Sequence, residues 1–152
     1  MIKIPKSQTA DTRSCDYSNV DKQTLMNSSL QHITDVKQGF EFFIELMKKA
    51  SEAHDHDKFT DIDQFHFDFV TGFKSTIWWD NHRKVNRHHI LVDDGIPEDV
   101  NLIDVMEFLI DCVMAGMART GVVYPLNISP ELLKKAFDNT TELLKSQIVV
   151  ED

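Results

Sequence analysis

Apolar residues recur at helical spacing along most of the chain. Asp21 can cap a short helix through Leu25, and the same three- and four-residue spacing then continues as an amphipathic helix to Ala53. Residues 1–20 contain several Ser and Thr residues and little periodic pattern. The pattern therefore predicts an irregular N-terminal arm, followed by a single helical domain over residues 21–152.

Four further helices follow from the same spacing. The pattern places them over residues 61–73, 76–89, about 102–118 and about 129–145. The last one begins at Ser129, with Pro130 at the first helical position, where the missing N–H costs no hydrogen bond. No convincing pair of strands is visible, so the sequence predicts an all-α bundle of about five to six helices.

The net charge of the chain limits the kinds of molecule that it can bind. The chain of 152 residues carries a formal net charge of −9, which argues against a long nucleic acid because such ligands are held by clustered cations. A small anionic substrate remains compatible, since a bound divalent metal reverses the local sign of the field. No apolar run approaches the ~20 residues of a membrane span, and Cys15 and Cys112 lack metal-site spacing. We therefore expect a cytoplasmic protein without a membrane partner, whose self-association is left open.

The histidines are clustered. Four of the seven fall in two short runs, His54 and His56 in HDHDK and His88 and His89 in NRHH. Imidazoles and carboxylates together are common ligands of Zn, Mn and Fe. Any one of these histidines could simply be a polar surface residue at a helix end. Their joint occurrence favours a metal site.

Asp111 lies in the middle of LIDVMEFLIDCVMAGMA, a segment that is apolar on nearly every face. A helix of this kind is normally buried, and a buried carboxylate needs a cation or a hydrogen-bonding partner. Asp104 precedes Asp111 by two helical turns on the same face, with Glu107 between them. Asp104 could be a metal ligand, or it could form a capping pair with Asn101.

Three other features could serve the same site. His82 and His89 are seven residues apart and would share a face if residues 79–89 were helical. Lys58 completes the pattern H-D-x-x-K and could neutralise a phosphate oxygen, or it could be an ordinary solvated lysine. Asp57 and Glu107 could manage protons. Trp79 could stack on a base, although core packing is the commoner use.

Arginines are candidate anion clamps because guanidinium groups bind phosphate bidentately. Scattered surface arginines are equally common, so this signal is weak. The candidates are Arg13, Arg87 and Arg119.

Together these residues resemble the HD-domain superfamily of metal-dependent phosphohydrolases, which are all-helical. The segments HDHDKF, H-x3-NRHH and NLIDVMEFLIDCVMAGMAR also resemble an uncharacterised family of small bacterial and phage proteins with the motifs HD-x-S-K, H-Y-x2-N-x-HHPE and NLIDLIEMLCDW-x-A-x3-R. The similarity runs from about His32 to Arg119. Asp57 stands where that family has serine, and Ile90 where it has proline.

The resemblance implies a ligand set. His54, Asp55 and Asp111 would be the core ligands, with His32 as the first histidine of the set, and His82, His88 and His89 would complete a second metal position. In one straight helix, His32 and His54 would stand roughly 33 Å apart at ~1.5 Å per residue. Either the helix breaks near Gly39, or His32 serves another purpose.

The function expected from these observations is hydrolysis of a phosphomonoester or phosphodiester in a small nucleotide, through water activated by one or two divalent metal ions (Mn, Fe, Zn, Co or Mg). Two alternatives remain open. One is a diiron oxygenase of the HD type, and the other is a non-catalytic binding or inhibitor protein of a phage with a structural metal. In each case we expect the protein in the cytoplasm of a bacterium or a phage-infected cell.

Overall fold

The computed structural model describes residues 1–6, 20–90 and 96–151. The chain forms two compact units, one from residues 1–45 with 142–152 and the other from residues 46–141. None of the helices in these described ranges is both long and apolar enough to cross a membrane.

The first unit contains a small parallel sheet. Strand β1 (Ile2–Pro5) pairs with β2 (Ile148–Glu151), so that Ile2 lies opposite Ile148. The start of the chain is therefore a strand where the pattern predicted an irregular arm. Four residues are too few to display strand periodicity, and the partner lies at the other end of the sequence.

Helix α1 (Lys22–Ala53) is one continuous element. Asp21 starts it as predicted, because its side chain accepts a hydrogen bond of 2.7 Å from the Thr24 N–H. The helix passes Gly39 without a break. The short first helix and the amphipathic helix of the sequence prediction are therefore a single helix.

The predicted helices of the second unit are confirmed, with shifted ends and one additional turn. Their bounds are α2 (Asp57–Thr60), α3 (Ile62–Val70), α4 (Ile77–Val85), α5 (Leu102–Thr120) and α6 (Pro130–Gln147), the last of which ends in the first unit. The all-α prediction is thus confirmed, with six helices among the described residues.

Helices α5 and α6 enclose the hydrophobic core of the second unit. Val105 and Phe108 from α5 pack with Leu132 and Ala136 from α6, and all four are buried. Thr140 joins the two helices, because its hydroxyl accepts a hydrogen bond of 2.8 Å from the Leu102 N–H. This packing fixes the position of α5 beside the site described below.

The prediction that α5 is buried all round was wrong. Large apolar side chains on its other faces are exposed, and the Asp111 side chain is 33 % exposed. Only the stripe with Val105, Phe108 and Cys112 is buried. A helix that is apolar on nearly every face can still be exposed on part of its surface. Burial is therefore not the reason why Asp111 lies near other polar groups.

Candidate metal centre

Asp55 stands at the centre of a cluster of imidazoles and carboxylates, two residues after the end of α1. Its backbone has φ = 54°, in the left-handed region that most residues avoid but Asn and Asp adopt more readily. Such a conformation persists where the surroundings hold it. Here the Asn86 Oδ1 atom accepts a hydrogen bond of 2.9 Å from the Asp55 N–H.

Four residues bring ligand atoms within 4.8 Å of one another, and we call them the inner group: Asp55, His82, His88 and His89. The Nε2 atoms of His82 and His88 lie 3.3 and 3.5 Å from Asp55 Oδ1. Asp55 Oδ1 and His89 Nε2 are buried and have no hydrogen-bond partner among the described residues. Buried polar atoms are normally paired, so this arrangement fits a bound cation.

Carboxylates orient two of these imidazoles from behind. His82 Nδ1 lies 2.9 Å from Asp57 Oδ2, and His88 Nδ1 lies 3.0 Å from Glu107 Oε1. An ionised carboxylate only accepts hydrogen bonds, so Nδ1 is the donor in each pair and Nε2 is the ring atom that would bind a metal. Carboxylate–histidine pairs of this kind fix the ring orientation of metal-binding imidazoles and raise their basicity.

The protonation states suit metal binding. Burial lowers the pKa of His82, against the opposing effect of the hydrogen bond to Asp57, and burial together with the charges of His88 and His82 lowers the pKa of His89 to about 3. Both rings are therefore neutral near pH 7, the form that binds metals. Burial by itself would raise the pKa of Glu107, but hydrogen bonds from His88 and His54 outweigh it and lower that pKa.

A second set, the outer group, consists of His54, Asp55 and Asp111. His54 Nε2 lies 3.6 Å from Asp55 Oδ2 and 3.7 Å from Asp111 Oδ1. His54 Nδ1 is 2.9 Å from the same Glu107 oxygen that binds His88. Glu107 thus orients one imidazole of each group, which explains why these three side chains also cluster together.

Lys58 approaches Asp55 from the outer side, where its ammonium group forms an ion pair with Oδ2. Burial by itself raises the pKa of Asp55, but the hydrogen bond and charge of Lys58 outweigh it, so the pKa is lowered overall. The Lys58 side chain remains 35 % exposed. Lys58 therefore lies at the open edge of the site.

Asn86 is a site residue that the sequence analysis missed. Besides holding the Asp55 backbone, its side-chain NH₂ group donates a hydrogen bond of 2.9 Å to Asp57 Oδ1. One buried amide thus positions both the Asp55 turn and the carboxylate behind His82. Its place between His82 and His88 was the available signal.

Asp68 is the second residue that the sequence analysis missed. It is completely buried, and its Oδ2 atom accepts hydrogen bonds of 2.9 and 3.2 Å from the N–H groups of Trp78 and Trp79. These N–H groups belong to the first turn of α4, where no intrahelical acceptor is available. Asp68 therefore caps, from α3, the helix that carries His82. A carboxylate inside the aromatic run FHFDF was the signal.

His82 and His89 do come together, with ring centroids 4.8 Å apart, but the predicted reason was wrong. Helix α4 ends at Val85, and Asn86 is extended with φ = −98° and ψ = 107°. The turn after the helix, and not a shared helical face, brings His88 and His89 beside His82.

Of the two roles that the sequence analysis left open for Asp104, the structure shows the capping pair with Asn101. Asp104 accepts hydrogen bonds of 2.7 Å from both Nε and Nη2 of Arg87, and it completes a capping box with Asn101. The same contact occupies the guanidinium of Arg87, a candidate anion clamp, which also donates a hydrogen bond to Asp99. Asp104 belongs to none of the converging groups in the described part of the chain.

The remaining predicted site residues do not belong to either group. His32 lies on α1 in the first unit, and no converging group of described residues includes it. Arg119 is exposed in the last turn of α5. Trp79 packs on His82 with ring centroids 5.6 Å apart. Arg13 lies outside the described residues.

The structure thus brings together eight of the predicted residues, in or directly behind a group of ligand atoms that could hold a metal ion: His54, Asp55, Asp57, His82, His88, His89, Glu107 and Asp111. Comparisons with protein-family models, with curated proteins and with solved structures gave no match. The resemblance to HD-domain proteins therefore stays a prediction from the motifs.

Proposed function

We propose that this protein is a metal-dependent phosphohydrolase that cleaves a small phosphate ester, with one divalent metal ion in the inner group and a second in the outer group. The observation that carries the proposal is the Asp55 carboxylate. Its Oδ1 atom faces His82 and His88, and its Oδ2 atom faces His54. Asp55 would therefore be a ligand in both groups, and pairs of metal ions are a recurrent means of hydrolysing phosphate esters.

The donor atoms narrow the choice of metal. Three imidazoles and one carboxylate in the inner group suit Mn, Fe, Co or Zn better than Mg, which prefers oxygen ligands. Such metals activate water as a nucleophile and polarise a phosphoryl oxygen.

The surrounding residues have distinct tasks in this proposal. Asp57 and Glu107 hold the imidazoles of His82, His88 and His54 in one tautomer and orientation. Lys58, at the open edge beside Asp55 Oδ2, can place its positive charge on a phosphoryl oxygen of the substrate. These residues therefore position the metal ligands and the substrate.

The test compares two carboxylate variants. The protein is loaded with Mn, Co, Zn or Fe, and phosphate release is measured from p-nitrophenyl phosphate, bis(p-nitrophenyl) phosphate and a panel of nucleotides. Asp55→Asn should lose its bound metal, and its rate should fall at least about a hundredfold. Loss of a residue that only hydrogen-bonds to a metal ligand costs about 10–100-fold, and loss of the ligand itself should cost more. The exposed Asp63→Asn is the matched control and should retain both. Full metal content and activity in Asp55→Asn would refute the proposal.

The same preparation separates the two alternative functions. Iron with visible absorbance in the purified protein, together with oxygen consumption, would favour a diiron oxygenase. Tight nucleotide binding without turnover would favour a non-catalytic binding protein in which the metal stabilises the fold.

A further inference from the structure

A pocket of about 260 Å³ opens beside the outer group. Two outer-group residues, His54 and Asp111, contribute to its lining, and so does Glu107, which orients His54. If the phosphate of a substrate binds at the outer group, the remaining part of that substrate lies next to this pocket.

The walls of the pocket are apolar. Met47 and Ala50 from α1 and Ile110 and Met114 from α5 all contribute to the lining. Met114 is 66 % exposed and Ile110 is 43 % exposed, although both are large apolar side chains beside a polar cluster. Exposed apolar surface next to convergent polar groups is characteristic of ligand sites.

The charges of the lining argue against a phosphate tail. No Lys or Arg is among the described residues that line the pocket, whereas Glu107 and Asp111 add negative charge. Polyphosphates are bound through cations and clustered N–H donors. A second or third phosphate group in this pocket would meet carboxylates instead.

The lining also offers little to a sugar. Its polar side chains are Ser51 and the three residues that the proposed function assigns to the metal sites, His54, Glu107 and Asp111. The Ser51 hydroxyl already donates a hydrogen bond of 2.7 Å to the Lys48 carbonyl. Ribose hydroxyls placed against the methionine and isoleucine side chains would lose hydrogen bonds to water without replacement. The pocket therefore favours an apolar group over a nucleoside.

From these observations we infer that the pocket binds the apolar alcohol portion of the substrate, so that the substrate class is the phosphate ester of an apolar alcohol, with an aromatic ring preferred. The inference rests on the proposed function. Methionine thioethers adapt to the shape of a ring and make favourable contacts with it, and Met47 and Met114 both line the pocket. In the reaction, the water oxygen bonds to phosphorus, the bond from phosphorus to the alcohol oxygen breaks, and one water proton ends on the alcohol.

The first test compares substrates with similar leaving groups. Benzyl phosphate, glycerol 3-phosphate and adenosine 5′-monophosphate are all esters of primary alcohols, so differences in kcat/KM report on binding of the alcohol portion. Because apolar surface is removed from water, we expect kcat/KM for benzyl phosphate to exceed the other two at least about tenfold in the metal-loaded protein.

The second test uses a matched pair of methionines on α5. Met114 lines the pocket, whereas Met117 is also exposed but lies outside the lining. Met114→Gln should lower the ratio of benzyl to glycerol phosphate hydrolysis at least about threefold, because a polar amide replaces an apolar wall. It should also weaken binding of benzylphosphonate to the metal-loaded protein, as measured by calorimetry. Met117→Gln should change neither quantity.

Two outcomes would overturn the inference, and they are distinguishable. If kcat/KM were equal for the three esters while hydrolysis still depended on metal and on Asp55, the preference for an apolar alcohol would be refuted. The proposed function would not be affected by that result. Absence of metal-dependent phosphate release from every ester would refute the proposed function and this inference with it.

Discussion

The two groups that share Asp55 use similar ligands but have different surroundings. In the inner group, the side chains of His82 and His88 are 1 % and 3 % exposed, and each Nδ1 is bonded to a carboxylate. In the outer group, His54 and Asp111 are about one-third exposed, and both line the apolar pocket. A closed set of ligands holds a metal firmly, whereas an open set leaves positions for water and substrate. We therefore expect tight binding at the inner group and exchangeable binding at the outer group.

Loss of an inner ligand should have the largest effect. His89→Gln removes an imidazole whose Nε2 atom is buried without a hydrogen-bond partner among the described residues. We expect the affinity of the inner group for metal to fall by more than about a hundredfold, as measured by competition with a chelator. A direct ligand contributes more to affinity than a residue that only hydrogen-bonds to a ligand. The exposed His66→Gln on α3 is the control. Unchanged affinity in His89→Gln would exclude this nitrogen as a ligand.

Glu107 tests how far the two groups are linked. One of its oxygens accepts hydrogen bonds from both His54 and His88. Glu107→Ala should weaken metal binding at both groups by about 10–100-fold, because neither imidazole is then held in the binding tautomer. Glu107→Gln keeps an acceptor oxygen and should lose less. If the two variants were equally impaired, the negative charge rather than the hydrogen-bond geometry would be the important property.

Asp68 should affect stability more than chemistry. Its carboxylate caps the first turn of α4. Among the residues of the two groups, α4 contributes one, His82. Removal of a capping side chain lowers the free energy of unfolding by about 1–2 kcal/mol. We expect this loss for Asp68→Ala in urea unfolding of the metal-free protein, with a smaller loss for Asp68→Asn. A variant as stable as the parent would show that α4 needs no cap from α3.

Much of the fold could be predicted from the sequence because local patterns determine it. Apolar spacing located α3, α5 and α6, and the capping residues Asp21 and Asn101 marked the starts of two helices correctly. The parallel pairing of β1 with β2 could not be predicted, because it joins the two ends of the chain. Long-range pairing leaves no periodic signal within a four-residue strand.

The ligands were more predictable than the residues that hold them. His54, Asp55, His88 and His89 could be predicted as ligands because they stand in two short runs that contain several His and Asp residues, and His82 because it lies seven residues before His89. Asn86 and Asp68 act through hydrogen bonds to groups that are distant in the sequence, and several of these groups are backbone N–H groups, which leave no signal in the residue pattern. The choice of Asp104 between ligand and cap depended on whether Arg87 reached it, which helical spacing alone does not decide.

Asp111→Asn should have the smallest effect on tight metal binding and is the most direct test of the difference between the groups. Asp111 contacts only the outer group, and its side chain is partly exposed beside the pocket. An amide oxygen is a weaker ligand than a carboxylate, so we expect the second equivalent of metal to be lost, while the first changes less than about threefold in affinity because no inner ligand is altered. Titration with Mn or Co, followed by elemental analysis, measures both numbers. Loss of the first equivalent in this variant would mean that the two groups bind metal as one unit, and that the closed inner set does not suffice to hold an ion.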